Sequence, residues 1–208
     1  MKKIIKIFFN FIFLWIITFA AEAENKILSK GKGDAKVVVK VFSSLTCPAC
    51  ANWHSKIFYQ MKKDFIDEGL VKFEHHPFPL DLAALNAEII LRCHVDNNKR
   101  FELLSKIYEK QSIWAVGSDI NKINDSIKKI GSQVGLGGGE MDRCLENDKS
   151  QDEILNQRIE AQKKYKIEAT PTVIINEKKY TGKVEYFKFR KEIEKNLVKN
   201  GLFKWNLK

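Results

Sequence analysis

The chain has 208 residues, 44% of them apolar and 30% charged, which is enough apolar side chain for one good-sized domain, or a domain with an insertion, and excludes wholesale disorder. Its 36 Lys and Arg against 26 Asp and Glu give a formal charge of +10. Lys outnumbers Arg 31 to 5, the lysines are scattered and no basic-aromatic module stands out, so the charge reads as a solvated surface and not as a nucleic-acid site.

In chain order, Lys2, Lys3 and Lys6 precede an apolar stretch over residues 7–20, and Ala21-Glu22-Ala23 offers small residues at both positions a signal peptidase reads. Residues 1–23 are expected to be a cleaved export signal. The alternative is a retained inner-membrane anchor, since about 17 residues is the lower limit for a spanning helix. Either way the folded part lies outside the cytoplasm, where disulfides persist and an even number of cysteines is expected to pair. A polar lead over 25–35 is followed by Val37-Val38-Val39-Lys40-Val41-Phe42, a β-branched run typical of a buried strand. Trp53, Ile57, Met61 and Phe65 fall at four-residue steps, so a helix begins at Cys47-Pro48-Ala49-Cys50 and stops at Gly69. Residues 70–73 read as a second strand, ended by His76-Pro77-Phe78-Pro79, and strand-helix-strand with short joints implies a parallel pair.

Helices alone follow. Ala84, Ala87, Leu91 and Val95 mark one, Phe101, Leu104 and Tyr108 a second, and Ile120, Ile123, Ile127 and Ile130 a third. Gly135 to Gly139 reads as a flexible joint before a short helix over 140–146, and a longer helix spans about 151–165. Residues 172–175 and 179–181 then form a hairpin around Asn176-Glu177-Lys178, and a last helix covers about 186–199.

The chemistry concentrates at Cys47 and Cys50. Two thiols three positions apart at a helix start can close a small disulfide ring, with Cys47 at the exposed edge as the attacking sulfur and Cys50 turned inward to resolve the mixed disulfide. Pro48 stiffens the first turn without forfeiting a helical hydrogen bond. Ala49 offers neither charge nor side-chain hydrogen bond, so a lowered Cys47 pKa must come from the helix terminus and backbone amides. Cys-x-x-Cys also nucleates zinc sites, but none of His54, His75, His76 and His94 stands at finger spacing, and no metal or cofactor is expected. His54, one turn after Cys50, reads as a surface or packing residue. Thr170-Pro171 stands directly before a strand and reads either as an ordinary trans proline opening an edge strand or as a cis bond that aims the Thr170 backbone at an extended peptide.

Residues 44–54, Phe78-Pro79-Leu80-Asp81, Leu91-Arg92-Cys93, residues 111–116, Cys144-Leu145 and Ala169-Thr170-Pro171-Thr172 together resemble the DsbA-like thioredoxin-fold disulfide oxidoreductases of the bacterial periplasm, in their alphaproteobacterial form. The resemblance implies an α/β thioredoxin fold with an inserted all-helical domain: 24–82 and 151–208 as the two parts of the thioredoxin fold, and 83–150 as the insertion. It implies that Pro171 is cis and faces the Cys47-Cys50 pair, with Thr170 and Pro171 binding substrate. It further implies activity on exported cysteine-containing clients and a membrane quinone-linked redox partner of the DsbB type. From the motif itself, with only the helix terminus and backbone amides to lower it, the Cys47 pKa is expected between about 3.5 and about 7.

Cysteines also occur in related proteins at the places of Cys93 and Cys144. A structural disulfide between them would close a loop worth about 4 kcal/mol on the chain-entropy estimate; a second redox centre and two free thiols are the alternatives. Three departures from the family pattern stand out. Val41 replaces a Glu that relatives use as a buried proton acceptor, which leaves proton handling at Cys50 open to water or another carboxylate. Ala49 replaces a His that steadies the thiolate, so a less oxidising pair is expected. Gly137 to Gly139 replaces a more compact segment and is expected to loosen a surface loop. His76 falls where relatives have Arg and reads as a weak, pH-dependent substitute. An isomerase or reductase, or a non-catalytic client-binding chaperone, are the competing readings. The short lead before the first strand favours a monomeric oxidase.

Overall fold

A computed structural model describes residues 27–182 and 184–201, so the expected export signal lies outside the described residues. Five strands form one mixed sheet in the order β1-β3-β2-β4-β5: β1 Leu28–Lys30, β2 Val37–Ser43, β3 Val71–Pro77, β4 Thr172–Ile175 and β5 Lys178–Lys179. β2 and β3 run parallel with Val41 beside His75, while β4 pairs antiparallel with β2 and sets Thr172 beside Phe42.

Between β2 and β3 lies helix α1, 48–66, whose turns at His54–Phe58 and Lys62–Ile66 are π-helical. The insertion supplies α2 Leu82–Cys93, α3 Asn97–Glu109, α4 Gln111–Trp114, α5 Ile120–Ser132 and α6 Gly138–Leu145; α7 Asp148–Tyr165 and α8 Tyr186–Lys199 flank β4 and β5. One face of the sheet, through Val37, Val39, Val41 and Phe73, packs on Trp53, Ile57, Met61, Phe65, Phe189 and Ile193. The same buried cluster continues into the insertion through Leu91, Leu103, Leu104, Ile107 and Ile127, so the sheet and the inserted helices share one core. The opposite face is smaller, with Phe42, Phe78, Ala161, Ile167 and Ile174 packed together.

Several sequence expectations need correction. The polar lead contains a strand: β1 pairs antiparallel with β3, and only Leu28 of its three residues is buried, which leaves no periodicity to detect. Gly31 ends it at φ +112, where an added Cβ would lie 2.4 Å from the Val71 carbonyl oxygen, so only glycine lets the chain leave the sheet there. β3 runs on through His76 and Pro77 because Val71, Phe73, His75 and Pro77 keep an inward period of two. Val95 lies beyond α2 and is 97% exposed. Gly138 and Gly139 are the first turn of α6, not a loose joint, with Glu140 accepting from the Gly137 amide. α7 starts earlier than expected because the Asn147 side chain accepts from the Ser150 amide. The hairpin turn is only Asn176-Glu177, both at positive φ, the geometry of a two-residue turn that matches strand twist.

Candidate active site

Cys47 is the N-cap of α1, in extended conformation, and Pro48 is its first helical residue. The Cys50 and Ala51 amides donate back to the Cys47 carbonyl at 3.0 and 3.2 Å, closing the first turn around the motif. Cys47 is half-buried and Cys50 is 2% exposed, both as free thiols. The loop entering the helix is held from two sides. Gln111, from α4, donates to the Leu45 and Cys47 carbonyls at 2.7 and 3.1 Å. Thr46 donates to Asp81 at 2.7 Å, and Asp81 in turn caps α2 by accepting from the Ala84 amide.

The Thr170-Pro171 bond is cis. The Thr170 carbonyl accepts from the Cys47 thiol at 3.4 Å, and the buried Thr170 hydroxyl forms no well-aligned hydrogen bond of its own. Cys47, Cys50, Thr170 and Pro171 are thus brought together at one end of the sheet. Cys93 and Cys144 are brought together elsewhere, bonded to each other between the ends of α2 and α6 with Cα atoms 6.0 Å apart.

The two thiols differ in their electrostatics. Burial pushes the Cys47 pKa up, but Thr170, the Cys50 thiol and the Cys50 and Ala49 amides more than offset this and leave it below the ordinary thiol value. Burial first, and then the charge on Cys47, push Cys50 well above it, with the Ser44 amide and Thr170 opposing. The thiolate is therefore favoured at the outer sulfur relative to the inner one, which holds its proton more tightly. Pro48 and Ala49 act here through the backbone: one opens the helix and the other supplies an amide.

Sequence reasoning passed over the groups behind Cys50. His75 on β3 bonds through Nε2 to Glu88 of α2 at 2.7 Å, and its Nδ1 lies 3.4 Å from Ser43 Oγ. Signals existed: His75 is in phase with Val71 and Phe73, and Glu88 is four residues after Ala84 and three before Leu91 on the inward face. Gln111 stands in the 111–116 stretch of the family resemblance, but its role was not legible, because its partners are main-chain carbonyls 64 and 66 residues away. His54 is a packing residue, stacked on Phe58 and bonded to Ser105 at 3.1 Å. His76 is paired with Glu74 at 3.0 Å, and burial lowers its pKa despite that carboxylate. Among the described residues, no three His, Cys, Asp or Glu side chains gather as a metal site, and no helix is long and apolar enough to cross a membrane.

A sheet with this order, interrupted by helices and carrying a Cys-x-x-Cys at the start of α1 opposite a cis-proline, defines a thioredoxin fold of the DsbA-like kind. A family model described as thioredoxin matches residues 23–195, and the chain belongs to that family. Disulfide bond formation protein D of Bacillus subtilis is 31% identical over 176 residues, covering 80% of this chain and 75% of that one. A Rickettsia bellii protein, named provisionally as a protein-disulfide oxidoreductase, is 30% identical over 160 residues; the chain spans 60% of its length. Among solved structures, Wolbachia pipientis alpha-DsbA1 superimposes with a TM-score of 0.75 at 24% identity, over 84% of this chain and 94% of that one. Oxidised BdbD from Bacillus subtilis gives 0.63 at 23%, over 83% and 94%; both likenesses are of fold.

Proposed function

We propose that this chain is a protein thiol-disulfide oxidoreductase that introduces disulfides into exported proteins through the Cys47-Cys50 pair. The observation that carries the reading is the asymmetry of the two sulfurs: a half-exposed Cys47 whose thiolate is favoured, backed by a buried Cys50 whose thiol is favoured. In the oxidised state a client thiolate attacks Cys47 Sγ, the Cys47-Cys50 bond breaks, and a second client thiolate then displaces Cys47 as the stable thiolate. A favoured Cys47 thiolate stabilises the reduced protein and so drives oxidation of the client.

An extended client segment pairs with the main chain at Thr170 and Pro171, which puts its cysteine against Cys47. Pro48 and Ala49 tune the motif, and the Cys93-Cys144 disulfide is structural. The chain works in the periplasm as a monomer after removal of residues 1–23, with 24–82 and 151–208 as the catalytic fold and 83–150 as the inserted helical domain. A DsbB-type quinone-linked membrane partner reoxidises it. The similarity to proteins named for disulfide bond formation supports the oxidising direction.

Equilibration of the purified protein with glutathione buffers tests this. A poise near about −120 mV is expected, and one near about −270 mV would turn the reading into a reductase or isomerase. Cys47→Ala is expected to abolish disulfide formation in vivo; full retained activity would instead make the chain a client-binding chaperone.

A further inference from the structure

Behind Cys50 lies a small cavity lined by Val41, Ser43, Trp53, Phe73, His75 and Tyr108, together with Cys50 and His54, which leaves about 10 Å³ for the centre of a water molecule. That is about the space one water requires, and the polar lining gives it partners. His75 and Glu88, 3% and 1% exposed, are bonded at 2.7 Å with His75 on the cavity wall. A buried acid-base pair has no structural need to border a reacting sulfur, and packing two such groups away from water costs stability unless their bond is well formed.

We propose that His75 and Glu88 are a proton store for Cys50, exchanging a proton with its sulfur across this cavity through Ser43 Oγ or a single water. The proposal rests on the oxidoreductase reading above. When a client thiolate bonds to Cys47 Sγ, the Cys47-Cys50 bond breaks and its electron pair goes to Cys50 Sγ. The proton held by the His75-Glu88 pair passes to that sulfur. When Cys50 later attacks Cys47 Sγ to expel a bound thiol as its thiolate, the same proton returns to the pair. The cycle neither consumes nor releases a proton at the buried sulfur.

The other groups facing Cys50 do not serve. Cys47, on the same helix, carries the opposing charge and is the second sulfur of the exchange. His54, also on α1, is driven by burial to about 3 and stays neutral without affinity for a proton. Tyr108, from α3, is driven by burial, and then by Cys50, well above the usual phenol value. Thr170 brings a hydroxyl but no titrating group. Arg92 of α2, Arg100 of α3 and Tyr108 are the further charged or titratable groups that feel Glu88. His54 and His76 are the further histidines that feel His75.

The test is the second step of the reaction of the reduced protein with oxidised glutathione: resolution of the Cys47-glutathione adduct by Cys50, followed by acid quench and mass measurement from pH 6 to 8. With an internal base the wild-type rate is nearly flat across this range. Glu88→Gln and His75→Gln, checked for folding by circular dichroism, are expected to be about 100-fold slower at pH 7 and to speed up about tenfold per pH unit, because the thiolate must then form by loss of its proton to solvent. The wild-type rate is also expected to fall about twofold in deuterium oxide, a reading that needs no variant. Folded variants with the wild-type pH profile would overturn the relay and leave the oxidoreductase reading intact, as would the absence of an isotope effect. Failure of the wild type to form any adduct at Cys47 would overturn both.

Discussion

Thr170 acts on both sulfurs at once. It lowers the pKa of each, yet Cys47 ends below the ordinary thiol value and Cys50 far above it, because Cys50 is fully desolvated and Cys47 is not. The contact to Cys47 is made by the Thr170 carbonyl and not by its hydroxyl, so Thr170→Val is expected to leave the Cys47 pKa within about 0.5 unit of wild type, read from its thiolate absorbance during titration. The sign for stability follows: a folded thiol pKa below the unfolded one stabilises the reduced protein above the unfolded value, and that gain is lost as pH falls through the folded one. His54 has the same sign, by a different cause. Burial, then the charge of His75, take it from about 6.5 to about 3, so its contribution is complete above about 6.5 and is lost as pH falls toward 3. His54→Gln can keep the bond to Ser105 without the titration. Denaturant unfolding at pH 7, 5 and 4 is expected to give a smaller acid loss in the variant, by a few kcal/mol at the lowest pH.

Gln111 is a one-residue link between the inserted helices and the redox loop, and its effect belongs to the elements it joins. Replacing it with Leu leaves the Leu45 carbonyl, 0% exposed as a residue, without its donor, and is expected to cost about 1–3 kcal/mol in denaturant unfolding. Amides over 44–47 are expected to exchange faster with deuterium. What could be read from the sequence at this scale divides by the range of the cause. α1, α3 and α5 were legible because four-residue steps such as Trp53-Ile57-Met61-Phe65 are local, and Cys47, Cys50 and Thr170-Pro171 were legible as short motifs. β1 was not, since its edge pairing with β3 is fixed by a partner 47 residues away at Leu28 and His75, and one buried residue makes no pattern. The His75-Glu88 pair lay between: each residue sits in phase on an apolar face, but their meeting depends on how α2 packs against the sheet.

At the scale of the molecule, one buried cluster runs from Val39 of the sheet to Ile127 and Met141 of the insertion, so the two parts are expected to unfold together. The Cys93-Cys144 bond ties this arrangement at its outer edge, joining α2, which touches the sheet side through Ala87 and Leu91, to α6, which is held from below by Met141. Neither cysteine is near Cys47 in the chain or among its hydrogen-bond partners, in keeping with the structural role proposed for the bond. It closes a loop of 51 residues, whose restriction of the unfolded chain amounts to about 4 kcal/mol in the loop-entropy treatment. Cys93→Ala with Cys144→Ala is therefore expected to unfold in a single transition with its midpoint lowered by roughly 10 °C, measured by thermal circular dichroism. The Cys47 pKa and the rate of reaction with glutathione should stay at wild-type values below that transition. Two separate transitions would mean that the insertion is held to the sheet by the disulfide and not by the shared core.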